Sequence, residues 1–328
     1  MKTKILITAV NSPPGRAVYN SLVRKKNLEL FCIDSDLNSV FKFQKKKKFY
    51  ISPRAKKKNN KSFINKLIKK KKIEILIPCI EPEVIFFSKN YNYFNKKVSI
   101  LIPKYNVLKK IVNKFNLYEL CKKLKIKSPK TIKIKFPLNK NINDLHFPAI
   151  LKPIVGWGMN NVRIIKNYKD FKEYTKYLKG TFILQEFLGN YKKNIFAVGL
   201  LMDRNGKEKL NFVSKSILTK YKTGGPAVAG IEVNNKKILI ISRKLVKNLP
   251  GLSGPLMIEF IKTHGSNNFY LIDVNPRMWG YSLLATFNGK NFSKAIVDIH
   301  LNKKITINNN ISKKFMLLRD FVDLKIKN

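Results

Sequence analysis

Two stretches of sequence decide the fold: Met257-Ile-Glu-Phe260 and, after a polar turn, Leu271-Ile-Asp-Val-Asn-Pro-Arg-Met-Trp-Gly280. Their apolar runs predict two neighbouring β-strands. Residues two apart on a strand share a face, so Asp273 and Asn275 should project together, with Glu259 beside them on the adjacent strand. Three hard oxygen donors of this kind suit Mg²⁺, which completes its octahedron with phosphate oxygens and water.

Arg277 follows Pro276, which ends the second predicted strand. Its planar guanidinium is suited to contact a phosphoryl group that is being transferred. The alternative is that Glu259 and Asp273 are ordinary carboxylates at strand edges. The chain has only 19 acidic residues against 67 basic ones, and two acids embedded in apolar strands beside an Asn-Pro-Arg turn argue against that alternative.

Together these residues resemble the catalytic end of ATP-grasp enzymes, in particular the ATP-dependent carboligases and carboxylate-amine ligases with a carbamoyl-phosphate-synthetase-like ATP-grasp domain. The resemblance implies that Glu259, Asp273 and Asn275 hold Mg²⁺, which Mn²⁺ could replace. It also implies that Arg277 is the catalytic residue at the terminal phosphate. Asp273 stands where the family more often has glutamate, so its carboxylate oxygens lie one methylene further back.

Two lysines lie in stretches that resemble the phosphate-binding segments of the same family. Lys114 follows Asn113 before a helical pattern, and Lys152 lies in Phe147-Pro-Ala-Ile-Leu-Lys-Pro153. The resemblance places both on ATP phosphates, Lys152 on the α-phosphate. In so lysine-rich a chain the alternative is a surface lysine. The apolar strand around Lys152 favours the phosphate role, because a buried ammonium is costly unless an anion meets it.

Two glycine pairs resemble loops of the family. Gly156 and Gly158 match the loop that closes over the phosphates, where backbone N–H groups can approach because no Cβ intervenes. The family continues with serine and another glycine, whereas this chain has Met159, Asn160 and Asn161. Gly224 and Gly225, in Thr223-Gly-Gly-Pro226, match the family's substrate loop, although two glycines at a turn are often only a turn.

The stretch Phe182-Ile-Leu-Gln-Glu-Phe-Leu188 resembles the hinge strand that receives adenine. The resemblance implies cofactor-binding roles for a run of four residues, with backbone groups on the purine edge and apolar side chains around the ring: Gln185, Glu186, Phe187 and Leu188. The acidic residue that the family commonly places on the ribose is missing. Asn194 is expected to replace it as a neutral partner.

The N-terminal part alternates predicted strands and helices. Lys4 to Ala9 predicts a strand, Asn11 to Gly15 a turn and Ala17 to Val23 a helix, as in a βαβ unit with a parallel sheet. The first loop has no GxGxxG, so a dinucleotide site is not expected. The predicted fold class is α/β and α+β.

The predicted domain organisation is a Rossmann-like pre-ATP-grasp domain followed by a two-subdomain ATP-grasp fold. The first domain spans residues 1–104 and the second spans 105–328. Within the second, a nucleotide lid is expected at about 114–188 and a metal and catalytic subdomain at about 189–300.

Composition limits the class of function. A formal net charge of +48 would fit a nucleic-acid binder, but only eight of the 67 basic residues are arginines. Nucleic-acid readers favour the arginine fork, so solvated lysine faces are expected instead of a specific nucleic-acid partner. No apolar run reaches the roughly 18 residues that a membrane helix needs, which predicts a cytoplasmic protein. The three cysteines have neither CxxC spacing nor a histidine cluster, which favours core packing.

The expected activity is therefore that of an ATP- and Mg²⁺-dependent, ADP-forming carbon-nitrogen ligase. ATP, a small carboxylate and an amine are the expected partners. Carboxylate activation would give an acyl phosphate, which the amine or a similar nucleophile then attacks. Two alternatives stay open: carbamoyl-phosphate-synthetase-like or biotin-carboxylase-like phosphorylation of bicarbonate, and an ATP-grasp protein that binds nucleotide without catalysis.

Overall fold

The computed structural model of the chain describes residues 1–44, 48–138, 146–156, 161–189, 194–221, 224–263, 265–308 and 315–319. Within these residues the strands form three sheets. The first is parallel and the other two are antiparallel, so the architecture combines α/β and α+β parts.

The first sheet has the strand order β3-β2-β1-β4-β5, with parallel pairing between neighbours. Such a sheet needs a crossover between successive strands, and helices provide most of these connections. Its strands are β1 (Thr3–Ile7), β2 (Leu28–Asp34), β3 (Phe49–Ile51), β4 (Ile75–Ile77) and β5 (Ser99–Ile100). Its helices are α1 (Pro13–Leu22), α2 (Phe41–Gln44), α3 (Asn60–Lys71), α4 (Glu81–Lys89) and α5 (Tyr91–Phe94).

Helix α1 begins earlier than the sequence suggests. The predicted turn from Asn11 to Gly15 is wrong in its second half, because the helix starts at Pro13. Proline is tolerated in the first helical turn, where its missing N–H would have no intrahelical partner. Ser12 caps the helix, with its Oγ accepting a hydrogen bond of 3.2 Å from the N–H of Gly15.

Two helices join the first sheet to the second. They are α6 (Tyr105–Val112) and α7 (Lys114–Lys123), and the side chain of Asn113 caps α7. The second sheet has the order β6-β9-β7-β8 and antiparallel pairing. Its elements are β6 (Thr131–Phe136), β7 (Ala149–Pro153), β8 (Arg163–Ile165), α8 (Tyr168–Thr175) and β9 (Gly180–Glu186).

The third sheet has the order β14-β13-β10-β11-β12-β15. Its strands are β10 (Ile195–Met202), β11 (Glu208–Tyr221), β12 (Gly224–Glu232), β13 (Gly254–Lys262), β14 (Phe269–Asn275) and β15 (Met316–Leu318). The remaining helices are α9 (Lys236–Lys247), α10 (Ser282–Phe287) and α11 (Phe292–His300).

The hydrophobic core has three parts. Two of them combine residues of the first and third sheets, so these sheets pack together. The third belongs to the second sheet and helix α8 alone, and includes Phe136, Leu151 and Phe171. Cys32, Cys79 and Cys121 are buried and free, as core packing requires. In the described part of the chain, no helix has the length and apolarity needed to cross a membrane.

Candidate functional site

A cavity of about 710 Å³ opens between the three sheets. The first sheet contributes residues that follow its strand ends, including Ser12 and Glu81. The second contributes Ile150, Lys152 and Gln185, and the third contributes the carboxylate and amide cluster predicted from the sequence. Ligands commonly bind beyond the carboxyl ends of parallel strands, and here the other two sheets enclose that edge.

Strands β13 and β14 bring the predicted metal ligands into this cavity. They pair antiparallel, with Glu259 opposite Asp273 and Met257 opposite Asn275. Because Asp273 and Asn275 are two residues apart, they share a strand face, and all three polar residues line the cavity. One carboxylate oxygen of Asp273 accepts a 3.0 Å hydrogen bond from the N–H of Val274. The pair of strands thus presents two carboxylates and one amide on a single surface.

The two carboxylates have different acidities. Burial, together with the nearby charge of Asp273, raises the pKa of Glu259 to about 7. Burial also opposes ionisation of Asp273, but the ammonium groups of Lys114 and Lys152 hold its pKa below the ordinary value. Near neutral pH, Asp273 is therefore ionised and Glu259 is partly protonated. A bound cation would favour the ionised form of both, so metal binding should release a proton.

The donor set fits Mg²⁺. Two carboxylates and an amide oxygen are hard ligands, and Mg²⁺ binds through one or two carboxylates together with substrate phosphates. No group of three or more histidine, cysteine, aspartate or glutamate side chains that could hold a metal occurs among the described residues. An all-protein cage is thus missing from that part of the chain. The cluster has the composition of a site that would need phosphate oxygens to complete it.

Arg277 is held at the end of β14 by two hydrogen bonds. Its Nη2 donates to Oδ1 of Asn275 at 2.8 Å, and its Nη1 donates to the carbonyl oxygen of Met278 at 3.0 Å. Burial lowers the pKa of Arg277, while the carboxylates of Glu81 and Glu259 oppose that shift. The guanidinium is therefore fixed in orientation before any ligand is present.

Lys114 lies between the segment that follows β7 and the proposed metal ligand Asp273. It is the first residue of α7, and its Nζ lies 3.6 Å from Oδ1 of Asp273. The same Nζ donates a 3.1 Å hydrogen bond to the carbonyl oxygen of Gly156. The backbone N–H of Lys114 donates to the carbonyl oxygen of Ile154 at 2.9 Å. Lys114 thus contacts both the glycine segment and strand β14.

Lys152 projects into the cavity from β7. Burial lowers its pKa to about 8, and the positive charge of Lys114 adds to this effect. Within the described ranges, no carboxylate oxygen lies within 4.0 Å of its ammonium nitrogen. Two lysines that share one cavity with incomplete charge compensation fit an anionic ligand such as a triphosphate.

The backbone at Gly156 has room for a side chain. A Cβ at Gly156 would meet only the side chain of Pro153, at 3.5 Å, so the space there does not require glycine. The carbonyl of Gly156 accepts from Lys114, and the residue lines the cavity. Gly158, predicted to bind the phosphates with it, lies outside the described residues.

The predicted adenine hinge lies at the end of β9. Gln185 is buried, lines the cavity and donates a 2.9 Å hydrogen bond from Nε2 to Oγ1 of Thr131. The N–H groups of Glu186 and Phe187 donate to the carbonyl oxygens of Lys130 and Pro148, at 2.8 and 3.3 Å. Those two N–H groups are therefore used within the protein.

Leu188 completes the hinge. Its backbone N–H has no hydrogen bond to any described residue, so it can donate one to an acceptor on a ligand. Asn194 lies just before β10, where its carbonyl oxygen accepts from the N–H of Lys262 at 2.9 Å. It does not line the cavity, although its neighbour Ile195 does.

The predicted Gly-Gly loop requires a correction. Gly224 and Gly225 are the first residues of strand β12, where Gly224 pairs with Tyr221 of β11, and they do not form a loop. The pairing of β11 and β12 contains three register shifts, which a glycine backbone can accommodate. Gly225 has a φ of +92° and lines the cavity.

Sequence reasoning missed three charged residues that line the cavity: Glu81, Arg163 and Arg319. Glu81 is the first residue of α4 and is only 3% exposed. Its Oε1 has no hydrogen-bond partner among the described residues, and burial raises its pKa to about 7. The available signal was Ile80-Glu-Pro-Glu83, an acidic pair after a parallel strand in a chain with few acids.

Comparison with known proteins identifies the family. The family model of the ATP-grasp domain matches residues 111–281, which is more than half of the chain. The chain belongs to the ATP-grasp family. The match begins just before Lys114 and ends at Tyr281, so it includes the cofactor and metal residues predicted from the sequence. The expected cofactors, ATP and Mg²⁺, are those of this family.

Solved structures agree with the fold of this ATP-grasp protein. It resembles an N5-carboxyaminoimidazole synthetase from Staphylococcus aureus complexed with ADP, with a TM-score of 0.71 and 14% identity over 94% of this chain and 80% of that one. It also resembles an L-amino acid ligase from Bacillus licheniformis, with a TM-score of 0.68 and 14% identity over 91% of this chain and 74% of that one.

A third similar structure is the biotin carboxylase domain of 2-oxoglutarate carboxylase from Hydrogenobacter thermophilus, in complex with MgADP, ADP and bicarbonate. Its TM-score is 0.68, with 15% identity over 93% of this chain and 71% of that one. The search of curated proteins finds no match to the sequence. At these identities the structures confirm the predicted fold class, and the reaction has to be argued from the site.

Proposed function

We propose that this ATP-grasp protein is a ligase that uses Mg-ATP to activate a carboxylate as an acyl phosphate, which an amine then attacks with release of phosphate. The observation that supports it is the convergence of Lys114 and Lys152 in one cavity with Arg277 and the oxygen donors Glu259, Asp273 and Asn275. The cavity thus has cations for a triphosphate and oxygen ligands for the metal that accompanies it.

In this proposal, Lys114 and Lys152 bind the phosphates, while Ile150 and the hinge from Gln185 to Leu188 receive the adenine. Glu259, Asp273 and Asn275 hold Mg²⁺, which when bound neutralises phosphate charge and polarises the γ-phosphoryl group. The ion pair between Lys114 and Asp273 would loosen when the metal takes that carboxylate, releasing the ammonium to a phosphate oxygen.

Arg277 has the catalytic role in the proposal. Its two hydrogen bonds to Asn275 and Met278 fix the plane of the guanidinium beside the metal ligands. As the γ-phosphoryl group passes to the carboxylate, negative charge spreads over its oxygens. A cation held in place beforehand stabilises that charge without reorganisation at the moment of reaction.

Glu81 favours an amine as the nucleophile. An ammonium must lose a proton before it can attack, and a carboxylate with a free acceptor oxygen and a pKa of about 7 can take that proton near neutral pH. Its pKa responds to Lys114, Asp273 and Arg277, which locates it beside the phosphate and metal residues. We assign Glu81 the role of general base for the amine.

In the proposed function, different segments of the chain supply different residues of the site. The Rossmann-like domain, residues 1–104, would supply Glu81, and the ATP-grasp domain, residues 105–328, would supply the rest. Within it, a lid of about 114–188 would carry the nucleotide residues, and about 189–300 would carry the metal and catalytic residues. Gly224 and Gly225 would border the substrate, next to the metal cluster.

The deciding experiment is a screen for Mg²⁺-dependent ADP release, using pools of carboxylates and amines with mass spectrometry of the products. The expected result is ADP formation that requires both a carboxylate and an amine, with a product mass equal to their sum less one water. ADP release with bicarbonate alone would instead indicate carbamoyl-phosphate-synthetase-like or biotin-carboxylase-like chemistry. Nucleotide binding without ADP release in any pool would indicate a non-catalytic protein.

A further inference from the structure

Arg319 directly follows strand β15 and lines the same cavity as the sequence motifs. That strand pairs antiparallel with β12, so Ala229 lies opposite Leu318. The backbone N–H of Arg319 donates to the carbonyl oxygen of Val228 at 2.9 Å, and its Nη1 donates to the carbonyl oxygen of Ala227 at 3.3 Å. These bonds direct the guanidinium into the cavity, which it lines.

The second terminal nitrogen of this guanidinium, Nη2, is buried. Among the described residues it has no hydrogen-bond partner, and no carboxylate oxygen lies within 4.0 Å of the guanidinium. Burial lowers the pKa of Arg319, and the phenol of Tyr281 opposes that shift. A buried cationic donor of this kind is costly unless an anion from outside the protein completes it.

The carboxylates of Glu259 and Asp273 do not supply that anion. Arg277 lies near the carboxylates of Glu81, Glu259 and Asp273, all of which influence its pKa. For Arg319 the charge influence comes from Tyr281, and no carboxylate of the described residues contributes. The two arginines therefore serve different parts of one cavity, with Arg277 at the phosphoryl-transfer end and Arg319 beside Gly280 and Pro13.

We infer that Arg319 binds a carboxylate group of a substrate that is not itself phosphorylated. The inference rests on the proposed ligase function and specifies its substrates: either the acid is a dicarboxylic acid, or the amine is an amino acid with its own carboxylate. In both cases, the guanidinium makes charge-assisted hydrogen bonds from Nη2 to the spectator carboxylate, which is oriented away from the γ-phosphate.

Gly280 offers an independent way to disturb this group without removing its charge. A Cβ at Gly280 would lie 2.7 Å from Nη2 and 3.0 Å from Nη1 of Arg319, and 3.0 Å from Cβ of Pro13. The end of an arginine side chain is flexible, so Gly280→Ala should shift the guanidinium at little cost to the fold. Arg319→Met keeps an unbranched, flexible side chain but removes the guanidinium and its charge.

The test uses calorimetry to measure equilibrium binding of four probes to the protein saturated with Mg-ADP, so it does not require turnover. The probes are succinate and its monoamide succinamate, and L-alanine and L-alaninamide. Within each pair, the second compound has an amide in place of one carboxylate of the first. We expect one parent acid to bind at least about tenfold more tightly than its amide, and Arg319→Met and Gly280→Ala to remove that difference. Preference for succinate would indicate a dicarboxylic acid, and preference for L-alanine an amino acid.

Leu318→Ala is the matched control, because Leu318 precedes Arg319 on β15 and is 61% exposed. It should bind the probes as the unmodified protein does. Equal affinities for acid and amide, or no binding of any probe, would overturn the inference. So would an Arg319→Met protein that loses affinity for Mg-ADP, since Arg319 would then contact phosphate. If the probes bind as expected but no ADP forms from ATP, the ligase proposal fails and the carboxylate site stands.

Discussion

Nζ of Lys114 lies 3.6 Å from Oδ1 of Asp273, so the residue that begins helix α7 is already paired with a proposed metal ligand. The side chain of Lys114 is only 10% exposed and that of Asp273 is 27% exposed. Partial burial strengthens the pair relative to one on the surface. Binding of Mg-ATP would replace this ion pair with two others, one between Asp273 and the metal and one between Lys114 and a phosphate.

Removing the charge of Asp273 should abolish metal-dependent turnover. Asp273→Asn keeps the shape of the side chain but removes a negative charge from the proposed metal site and the ionic partner of Lys114, so we expect ADP formation to fall by at least about a hundredfold. The measurement is Mg²⁺-dependent ADP release with the substrates found in the screen. Glu173→Gln, on the exposed face of α8, is the control and should keep full activity. Full turnover by Asp273→Asn would show that the metal site lies elsewhere.

Mg²⁺ should be needed for tight nucleotide binding. The lysines attract phosphate by themselves, but Glu259 and Asp273 repel it until a cation lies between them. At a nucleotide concentration one hundred times its Kd, native-state binding should add roughly 2.7 kcal/mol of stability. The rise in Tm with Mg-ATP, compared with ATP and a chelator, measures this effect. An equal rise in both conditions would contradict the assigned role of the carboxylates.

Replacing Arg277 by lysine should reduce turnover more than it reduces ATP affinity. Lysine keeps the charge but cannot donate to Asn275 and Met278 while also presenting a planar fork to the phosphoryl group. We expect kcat to fall by at least about tenfold, or roughly 1.4 kcal/mol of transition-state stabilisation. Steady-state kinetics and calorimetry of ATP binding separate the two effects. Unchanged turnover with weakened ATP binding would assign Arg277 to ground-state binding instead.

The half-buried carboxyl of Glu83 should make stability depend on pH. Burial raises its pKa from 4.5 to about 7, against a hydrogen bond from Oγ1 of Thr8. The folded state therefore binds more protons than the unfolded state between those values, so stability falls as pH rises through that window. Glu83→Gln removes this dependence and should be more stable than the unmodified protein at pH 8, but not at pH 4.

Urea unfolding at several pH values measures the effect at Glu83. The exposed variant Glu173→Gln should follow the unmodified protein throughout. A Glu83→Gln protein whose stability differs from the unmodified one by the same amount at every pH would show that Glu83 does not titrate in this range.

A methyl group at Gly199 should destabilise the fold. Its Cβ would lie 2.2 Å from Cη2 of Trp279, a ring that is 1% exposed and packs against Phe292. Overpacking of a core costs about 1 to 3 kcal/mol. Chemical denaturation of Gly199→Ala tests this, and Trp279→Phe provides the double-mutant cycle. Gly199→Ala should cost less when position 279 carries the smaller ring, and equal costs would place the strain elsewhere.

Local pattern and composition predicted much of the fold. The apolar runs from Phe196 to Met202 and from Leu256 to Ile261 lie within strands β10 and β13, because fully buried strands appear as continuous hydrophobic sequence. The start of α1 was misjudged, since Pro13 and Pro14 favour a turn as well as the first turn of a helix. The strand at Gly224 was missed because glycine pairs usually mark turns.

Glu81 and Arg319 show where sequence reasoning ends. Glu81 belongs to a helix that follows a parallel strand, and Arg319 directly follows a short strand that is remote in sequence from every motif. Each enters the cavity only through tertiary packing, of α4 under the first sheet and of β15 against β12. A single sequence gives no long-range pairing of that kind, so the motifs contain residues of the proposed nucleotide end of the cavity and not those of the proposed substrate end.

The hydrophobic core of the second sheet has a consequence for motion. Because Phe136, Leu151 and Phe171 belong to a cluster separate from those beneath the other sheets, this sheet can open as its own cooperative unit. Its backbone amides should then exchange with solvent deuterium at a lower opening free energy than those of β10 and β13. A nucleotide held by Lys152 on one side and Glu259 on the other would join the two units, and the amides of β7 and β9 would become protected together.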